Sequence, residues 1–165
     1  MPRALCVLFV LVFSQACTSS YEPARSPRIA TVIDGGQPTF VKDGVHFGSQ
    51  VWGTGLVDAV HGNPRAEHHA RVGRNLIAGG FVLSLVGLAT EIGGVAVAVQ
   101  DQSQHPDEPG VSGVAMGLLV GGLAAAIAGS VVAISGQPHL HDAINIYNDS
   151  LDAPTSAAPL GPRQP

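Results

Sequence analysis

The sequence predicts a mainly α protein: a signal helix, a small exported segment with a β-hairpin, an antiparallel transmembrane helical hairpin and a short C-terminal amphipathic helix. Two observations predict this fold class. Residues 76–99 and 111–135 are long apolar stretches, and the short segment between them is polar and contains prolines. Only 12% of the residues are charged, about half of the ~25% typical of soluble domains, which is too few to cover a soluble globule.

The same composition limits the possible partners and activities. The net charge is −4 and the chain has one lysine, Lys42, whereas nucleic acid binding depends on clustered Lys and Arg. We therefore expect no nucleic acid partner. No nucleophile–base arrangement, phosphate-binding loop or pair of catalytic carboxylates is visible, so we expect neither enzyme activity nor a cofactor.

Residues 1–16 have the organisation of a signal peptide. Arg3 supplies the positive n-region, residues 4–13 form the apolar h-region, and Ser14-Gln15-Ala16 provides a small-residue approach to a cleavage site. The h-region is too short to cross ~30 Å of hydrocarbon comfortably. The sequence therefore predicts an exported chain.

Cleavage after this signal exposes Cys17. Cys6 leaves with the signal peptide, so the mature chain has a single cysteine and forms no internal disulfide. Lipidation of Cys17 explains an unpaired thiol on an exported protein and is the preferred interpretation. Ordinary signal cleavage at the same bond and an uncleaved signal anchor are the alternatives.

The region between the signal and the apolar stretches divides into two parts. Residues 17–38 are rich in Ser, Pro, Arg and Gly and predict a flexible tether. In residues 39–62, two short apolar stretches flank Asp43-Gly44, a pair that tolerates the positive φ of a hairpin turn. An isolated hairpin is marginally stable in water, so we expect it to lean on a short helix within residues 51–60.

Residues 63–136 are predicted to form a juxtamembrane helix that continues into a two-helix membrane hairpin. Asn63-Pro64 is a helix start, because Asn caps free backbone donors and Pro fits the first turn. The apolar residues 76–99 would extend ~36 Å as a helix, enough for a tilted span. Residues 100–109 are predicted to be a surface loop, and so short a connection makes the two helices antiparallel neighbours.

Small residues recur at regular spacing in both predicted spans. The spacing is seven in the first helix, at Gly73, Gly80, Gly87 and Gly94, and four in the second, at Gly113, Gly117, Gly121, Ala125 and Gly129. Close backbone packing along such seams drives helix association in lipid, where the hydrophobic effect does not. We therefore predict helix packing at these glycines. Compositional drift in an apolar helix is the alternative.

Glu91 is the acidic residue within the first span. A carboxylate at bilayer depth costs roughly 2.5–3.5 kcal/mol on insertion scales, and such groups often mark ion or proton pathways. An oligomeric proton or cation channel is therefore the alternative function. The other interpretations are a protonated Glu91 hydrogen-bonded within the seam and a helix shifted so that Glu91 reaches the interface.

Five histidines would lie on one side of the membrane if the hairpin forms: His61, His68, His69, His139 and His141. His68, His139 and His141 are weak candidates for a metal site, to which Glu67 and Asp142 would add oxygen ligands. No pair of histidines has the i, i+4 spacing that places two imidazoles on one helix face. We therefore predict solvated histidines and no metal site.

The C-terminal region also divides into two parts. Residues 137–151 place Leu140, Ile144, Tyr147 and Leu151 on one helical face, which predicts an amphipathic helix lying in the membrane interface or on the exported segment. A short strand through Ile144 and Ile146 is the alternative. Residues 152–165 are rich in Pro and Ala and are predicted to be disordered.

The cysteine-terminated signal and the glycine-spaced hairpin over residues 76–136 together resemble bacterial envelope lipoproteins with a glycine-zipper two-helix region. The resemblance rests on spacing, with no identifying motif, and the chain departs from the pattern in carrying Glu91. It implies a structural or scaffolding role without catalysis. It also implies three partners: the lipid bilayer, further copies of the chain, or another envelope membrane protein.

The predicted location is the inner membrane facing the periplasm, because apolar helices normally stop translocation there. The positive-inside preference opposes this, since Arg65, Arg71 and Arg74 would lie on the exported side of the hairpin and an acidic loop in the cytoplasm. The outer membrane is therefore the alternative location.

Overall fold

The computed structural model describes residues 25–105 and 110–152. The predicted signal peptide, Cys17 and residues 153–165 lie outside the described residues. The elements in chain order are β1 (Ala30–Asp34), β2 (Gln37–Lys42), β3 (Val45–Ser49), α1 (Leu56–Ala59), α2 (Pro64–Gln104) and α3 (Gly113–Asp152). The described chain is mainly helical, as predicted, with two long apolar helices forming a hairpin and a small antiparallel sheet.

The sheet has the order β1-β2-β3, and both neighbouring pairs are antiparallel. The predicted hairpin at Asp43-Gly44 is confirmed: Lys42 pairs with Val45, and the two turn residues have φ values of 54° and 78°. We call residues 25–62, which contain the sheet and α1, the head.

The prediction of a flexible tether through residue 38 was wrong for residues 30–38, which form β1 and the start of β2. A second two-residue turn explains the difference. Gly35 and Gly36 both have positive φ and connect the paired residues Asp34 and Gln37. Both central residues of this turn must adopt positive φ, which glycine does without steric cost. The turn places β1 on β2 and buries Val32.

The head has a small core that it shares with the adjacent ends of α2 and α3. Phe40, Leu56 and Val60 from the head and Leu140 from α3 are the largest fully buried side chains. Helix α2 adds Ala66 and Ala70, whose small side chains allow the head to pack close to this helix. The head therefore folds onto the helices rather than apart from them.

The start of α2 follows the prediction, but its end does not. The Asn63 side chain accepts a hydrogen bond from the Ala66 N–H at 3.1 Å, and Pro64 occupies the first turn. Residues 100–104, predicted as loop, are helical. The helix ends at Gln104, and the capping residue His105 precedes a proline, which disfavours helical backbone at His105.

Helix α3 is continuous through Pro138, so the prediction of a separate interfacial helix over residues 137–151 was wrong. An internal proline costs about 3 kcal/mol in a helix. Burial of Leu140, Ala143 and Tyr147 offsets that cost, since these residues follow the proline and join the core shared with the head. Leu140 and Tyr147 of the predicted apolar face thus pack on the head, whereas Leu151 is exposed. Asp152, predicted to begin the disordered tail, is the last residue of α3.

Candidate functional site

The interface between α2 and α3 is built from small residues that recur every seven positions on both helices. The buried small residues of this seam are Ala66, Gly73, Gly80, Gly87 and Gly94 on α2, and Ala115, Gly122, Gly129, Gly136 and Ala143 on α3. Three glycine pairs face each other reciprocally: Gly73 with Gly136, Gly80 with Gly129, and Gly87 with Gly122. A seven-residue repeat of this kind is typical of left-handed helix packing.

The two backbones are in contact along this seam. A Cβ atom added at Gly80 would lie 2.3 Å from the Ala133 nitrogen, and one at Gly87 would lie 2.4 Å from the Ala126 nitrogen. Both distances are well below 3.0 Å, a limit that real Cβ contacts essentially never cross. Glycine is therefore required at these positions by the approach of the neighbouring backbone.

The seam contains some, but not all, of the predicted packing glycines. Gly80, Gly87, Gly94 and Gly129 lie in the interface as predicted. Gly113, Gly117 and Gly121 point away from α2, and a Cβ added at any of them would meet nothing within 4 Å. Gly113, Gly117 and Gly121 thus lie on the outer face of α3, and we call these three residues the outer glycine row.

Sequence reasoning missed Gly122 and Gly136, which complete the seam on α3. The signal that identifies them is the spacing of seven, which matches the spacing on α2. Gly122 lies seven residues before Gly129, and Gly136 lies seven residues after it. The repeat of four in the same helix is more conspicuous.

A polar contact joins the helices near the middle of the seam. The Ser84 hydroxyl donates to the Ala126 carbonyl at 3.1 Å and lies 3.3 Å from the Ser130 hydroxyl. The Ser130 hydroxyl itself donates to the same carbonyl at 2.9 Å. Such small hydroxyls let helices approach closely and still hydrogen-bond across the interface.

Glu91 lies beside the seam and is half-buried. Its Cγ would be 2.9 Å from a Cβ added at Gly122, so the side chain runs over that glycine. None of the ion pairs formed by the described residues involves Glu91. Phe81 of α2 lies where the head meets the apolar surface of the hairpin. Glu91 is ten residues further along α2, a distance of about 15 Å along the helix axis, which is half of a ~30 Å hydrocarbon core.

The surface of the hairpin between the head and residue 99 is largely apolar. Only 11% of the most apolar segment of each helix is buried, and both helices are long and apolar enough to cross a membrane. Such exposure distinguishes them from the core helices of a soluble domain. Large exposed residues on this surface include Val82, Leu85, Val86, Leu88, Ile92, Val95, Val114, Val120, Leu123, Ile127, Val131 and Ile134.

An aromatic pair marks the junction of the head and the apolar surface. Trp52 of the head packs edge-on against Phe81 of α2, with ring centroids 4.9 Å apart. Both side chains remain more than 40% exposed. Trp is enriched at the headgroup level of membranes, where one end of the ring is apolar and the other is wet.

A second polar cluster lies at the head end of the hairpin, where His69, His139 and Asp142 converge. The Nδ1 atoms of His69 and His139 are 3.3 Å apart, and His69 Nδ1 is 3.7 Å from Asp142 Oδ2. One ligand atom from each residue lies within 4.8 Å of the others. His69, His139 and Asp142 are all among the residues that the sequence placed on this side of the hairpin, and of the weak candidates His68, His139 and His141 only His139 belongs to the cluster. His68 and His141 are exposed neighbours.

Glu67 organises the first turn of α2. Its carboxylate accepts a hydrogen bond from the Gly62 N–H at 3.0 Å and pairs with Arg71 and His61 at 3.1 Å each. The Gly62 hydrogen bond, followed by the charges of His61 and Arg71, lowers the pKa of Glu67. The helix start is thus stabilised by the ionised form of this carboxyl.

No protein family, curated protein or solved structure matches this chain. The proposals below therefore depend on the residues and the geometry alone.

Proposed function

We propose that the chain is a structural lipoprotein of the bacterial cell envelope, in which the helical hairpin crosses a membrane, Cys17 carries lipid, and the head is held at the membrane surface. The observation that carries this proposal is the continuity of α2 and α3, which run without a break from the apolar region into the core of the head. The role is non-catalytic.

Polar contacts support a head that is fixed on the hairpin. The Asn148 side chain accepts from the Ile29 N–H at 2.8 Å and donates to the Ile29 carbonyl at 3.1 Å, as a neighbouring strand would. Lys42 donates to the Ala59 carbonyl at 2.7 Å and lies 4.5 Å above the Tyr147 ring. These contacts attach the head to α3 at Ile29, near its start, and at Lys42, near its middle.

Self-association is part of the proposal, and the geometry favours one surface for it. Gly80, Gly87 and Gly129 already pack within the chain, so they are not available to a second copy. The outer glycine row is open and is flanked by exposed Val114 and Val120. Small residues four apart let helices approach closely in lipid, so we propose that a second copy packs there.

The first experiment measures location and lipidation in an expressing bacterium. Membrane fractionation is expected to recover the chain with the envelope, and globomycin is expected to block its processing. A chain that stays soluble would refute the membrane role. Normal processing in globomycin would exclude lipidation at Cys17 but leave the hairpin proposal intact.

The second experiment measures the mass of the purified protein in detergent by light scattering. We expect an oligomer that Gly117→Leu disrupts, because the added side chain fills the outer glycine row. Gly79→Leu is the matched control, since Gly79 lies on α2 with nothing within 4 Å of an added Cβ. A monomeric wild type, or equal effects of both substitutions, would rule out association through this row.

Proton or cation conduction is the second candidate function, and the position of half-buried Glu91 midway along the apolar region favours it. The test uses liposomes containing the verified oligomer and measures flux driven by a pH or cation gradient. Conduction through Glu91 predicts flux that Glu91→Gln abolishes. A structural role predicts no flux in either protein.

A further inference from the structure

We propose that His69, His139 and Asp142 form a binding site for a divalent transition metal, with Zn²⁺ as the best fit, that fastens α2 to α3 beside the head. The three side chains come from two helices, and the site does not depend on the membrane role proposed above. His69 supplies the ligand from α2, and α3 supplies the other two.

Two separations between ligand atoms are close to those of tetrahedral coordination. With Zn–N bonds of 2.0–2.1 Å, two ligand atoms of a tetrahedral site lie roughly 3.3–3.4 Å apart. The two imidazole Nδ1 atoms are separated by 3.3 Å, and the His69 to Asp142 separation is 3.7 Å. One ligand atom from each of the three residues lies within 4.8 Å of the others, so side-chain rotation brings the set into place around an ion.

The chemistry of the donors selects the kind of metal. Two imidazole nitrogens and one carboxylate suit Zn²⁺ and related transition metals, whereas Mg²⁺ and Ca²⁺ prefer oxygen ligands throughout. Without a metal, one imidazole Nδ1–H donates to the other Nδ1; coordination through both Nδ1 atoms replaces that hydrogen bond, and both lone pairs then face one cation. The side chains of His69 and Asp142 are 25% and 56% exposed, so an ion and a water as fourth ligand have access.

The fold holds the ligands rigidly. His139 and Asp142 are three residues apart on α3, which places them on one face of that helix. One turn away, Gly73 and Gly136 bring the two backbones into contact, because a Cβ at Gly73 would lie 2.8 Å from the Gly136 carbonyl oxygen. Sites on packed helices keep their geometry better than sites on loops. A metal that binds only when α2 and α3 are packed together shifts the equilibrium toward the packed hairpin and so stabilises it.

The test uses the full-length protein, purified in detergent without a polyhistidine tag and stripped by a chelator. Titration with Zn²⁺ against a competing chelator is expected to give one equivalent bound per chain, and Co²⁺ is expected to show the intense visible bands of tetrahedral coordination. His139→Gln is expected to weaken binding by about 100-fold or more, because even the loss of an outer-shell partner costs 10–100-fold.

His68→Gln and His141→Gln are the matched controls, since both residues are exposed histidines next to the cluster. They are expected to retain wild-type affinity and the Co²⁺ spectrum. No stoichiometric binding by the wild type would overturn the proposal, as would equal losses in the controls and in His139→Gln.

X-ray absorption of the Zn²⁺-loaded wild type provides a test that needs no variant. Two imidazoles and light-atom ligands are expected in the first shell. A sulfur ligand, or a shell without imidazole, would overturn the assignment even if a ligand variant fails to fold.

Discussion

Four glycines on α2 allow a sharp test of the seam. Two of them pack against α3 and the other two face away. Gly80 and Gly87 face the α3 backbone, whereas a Cβ added at Gly79 or Gly93 meets nothing within 4 Å. The test compares two double variants. The seam pair carries Gly80→Ala and Gly87→Ala, and the control pair carries Gly79→Ala and Gly93→Ala.

The expected magnitude follows from the contact distances. A Cβ at 2.3 Å from the Ala133 nitrogen is short of ordinary contact, which begins at 3.4 Å, by about 1 Å. The helices must separate, and overpacking of this kind typically costs 1–3 kcal/mol at each site. One separation of the helices relieves both clashes, so the two costs overlap, and the pair is expected to cost at least the roughly 1–3 kcal/mol of one site and at most about 6 kcal/mol. The control pair is expected to be neutral or stabilising, because Ala favours helix over Gly by up to about 1 kcal/mol.

Unfolding by SDS in mixed micelles measures this difference. Trp52 is the single tryptophan of the chain and packs on Phe81 of α2, so its fluorescence reports the folded hairpin with its head. The seam pair is expected to unfold at a clearly lower SDS fraction than the wild type, and the control pair at the same fraction or higher. Equal midpoints for the two double variants would refute the seam.

Three further predictions concern the junction of the head and the hairpin. Leu140→Ala is expected to destabilise the protein by about 2–5 kcal/mol in the same SDS titration, because it leaves a cavity in the shared core. Asn148→Ala is expected to cost about 1–3 kcal/mol by removing both hydrogen bonds to Ile29, and faster hydrogen exchange at the Ile29 amide with unchanged exchange in the middle of α2 would show it. The lowered pKa of Glu67 stabilises the first turn of α2 at neutral pH, and this contribution is lost as the pH falls below the ordinary carboxyl value of 4.5. Glu67→Gln is expected to weaken exchange protection of that turn at pH 7 and to remove most of its acid dependence; an acid dependence equal to that of the wild type would contradict this.

The sequence allowed the elements with strong local signals to be predicted. The two apolar stretches identify the long helices, Asp43-Gly44 identifies one hairpin turn, and Asn63 identifies the start of α2. Each signal depends on residues close together in the chain. Hydropathy, turn chemistry and capping therefore suffice for them.

The packing face of α3 required information from its partner. Gly121 and Gly122 are adjacent, and either could lie in a seam when α3 is considered alone. The spacing of seven on α2 selects Gly122, because antiparallel helices that meet every two turns need matching repeats. The repeat of four through Gly117 is more conspicuous but faces outward.

Contacts distant in sequence explain the remaining differences. Strand β1 has only five residues, and pairing with β2 is what orders it. The helix continues through Pro138 because Leu140 is buried in the core shared with the head. His69 joins His139 only because α2 and α3 pack in one register, which no spacing within a single helix reveals.

Disulfide formation between the two helices tests the central claim most directly, because that claim is an in-chain antiparallel hairpin in the seven-residue register. The Ser84 and Ser130 hydroxyls are 3.3 Å apart, so Ser84→Cys with Ser130→Cys places two thiols within reach of one another. In the proposed mature chain Cys6 has left with the signal peptide and the Cys17 sulfur carries lipid, so neither competes. Leu85→Cys with Ser130→Cys is the matched control, since Leu85 is exposed. In native membranes, mild oxidation is expected to give an intramolecular disulfide in the first protein and little in the control. Disulfide-linked dimers without the intramolecular form, or equal cross-linking of both proteins, would contradict the hairpin.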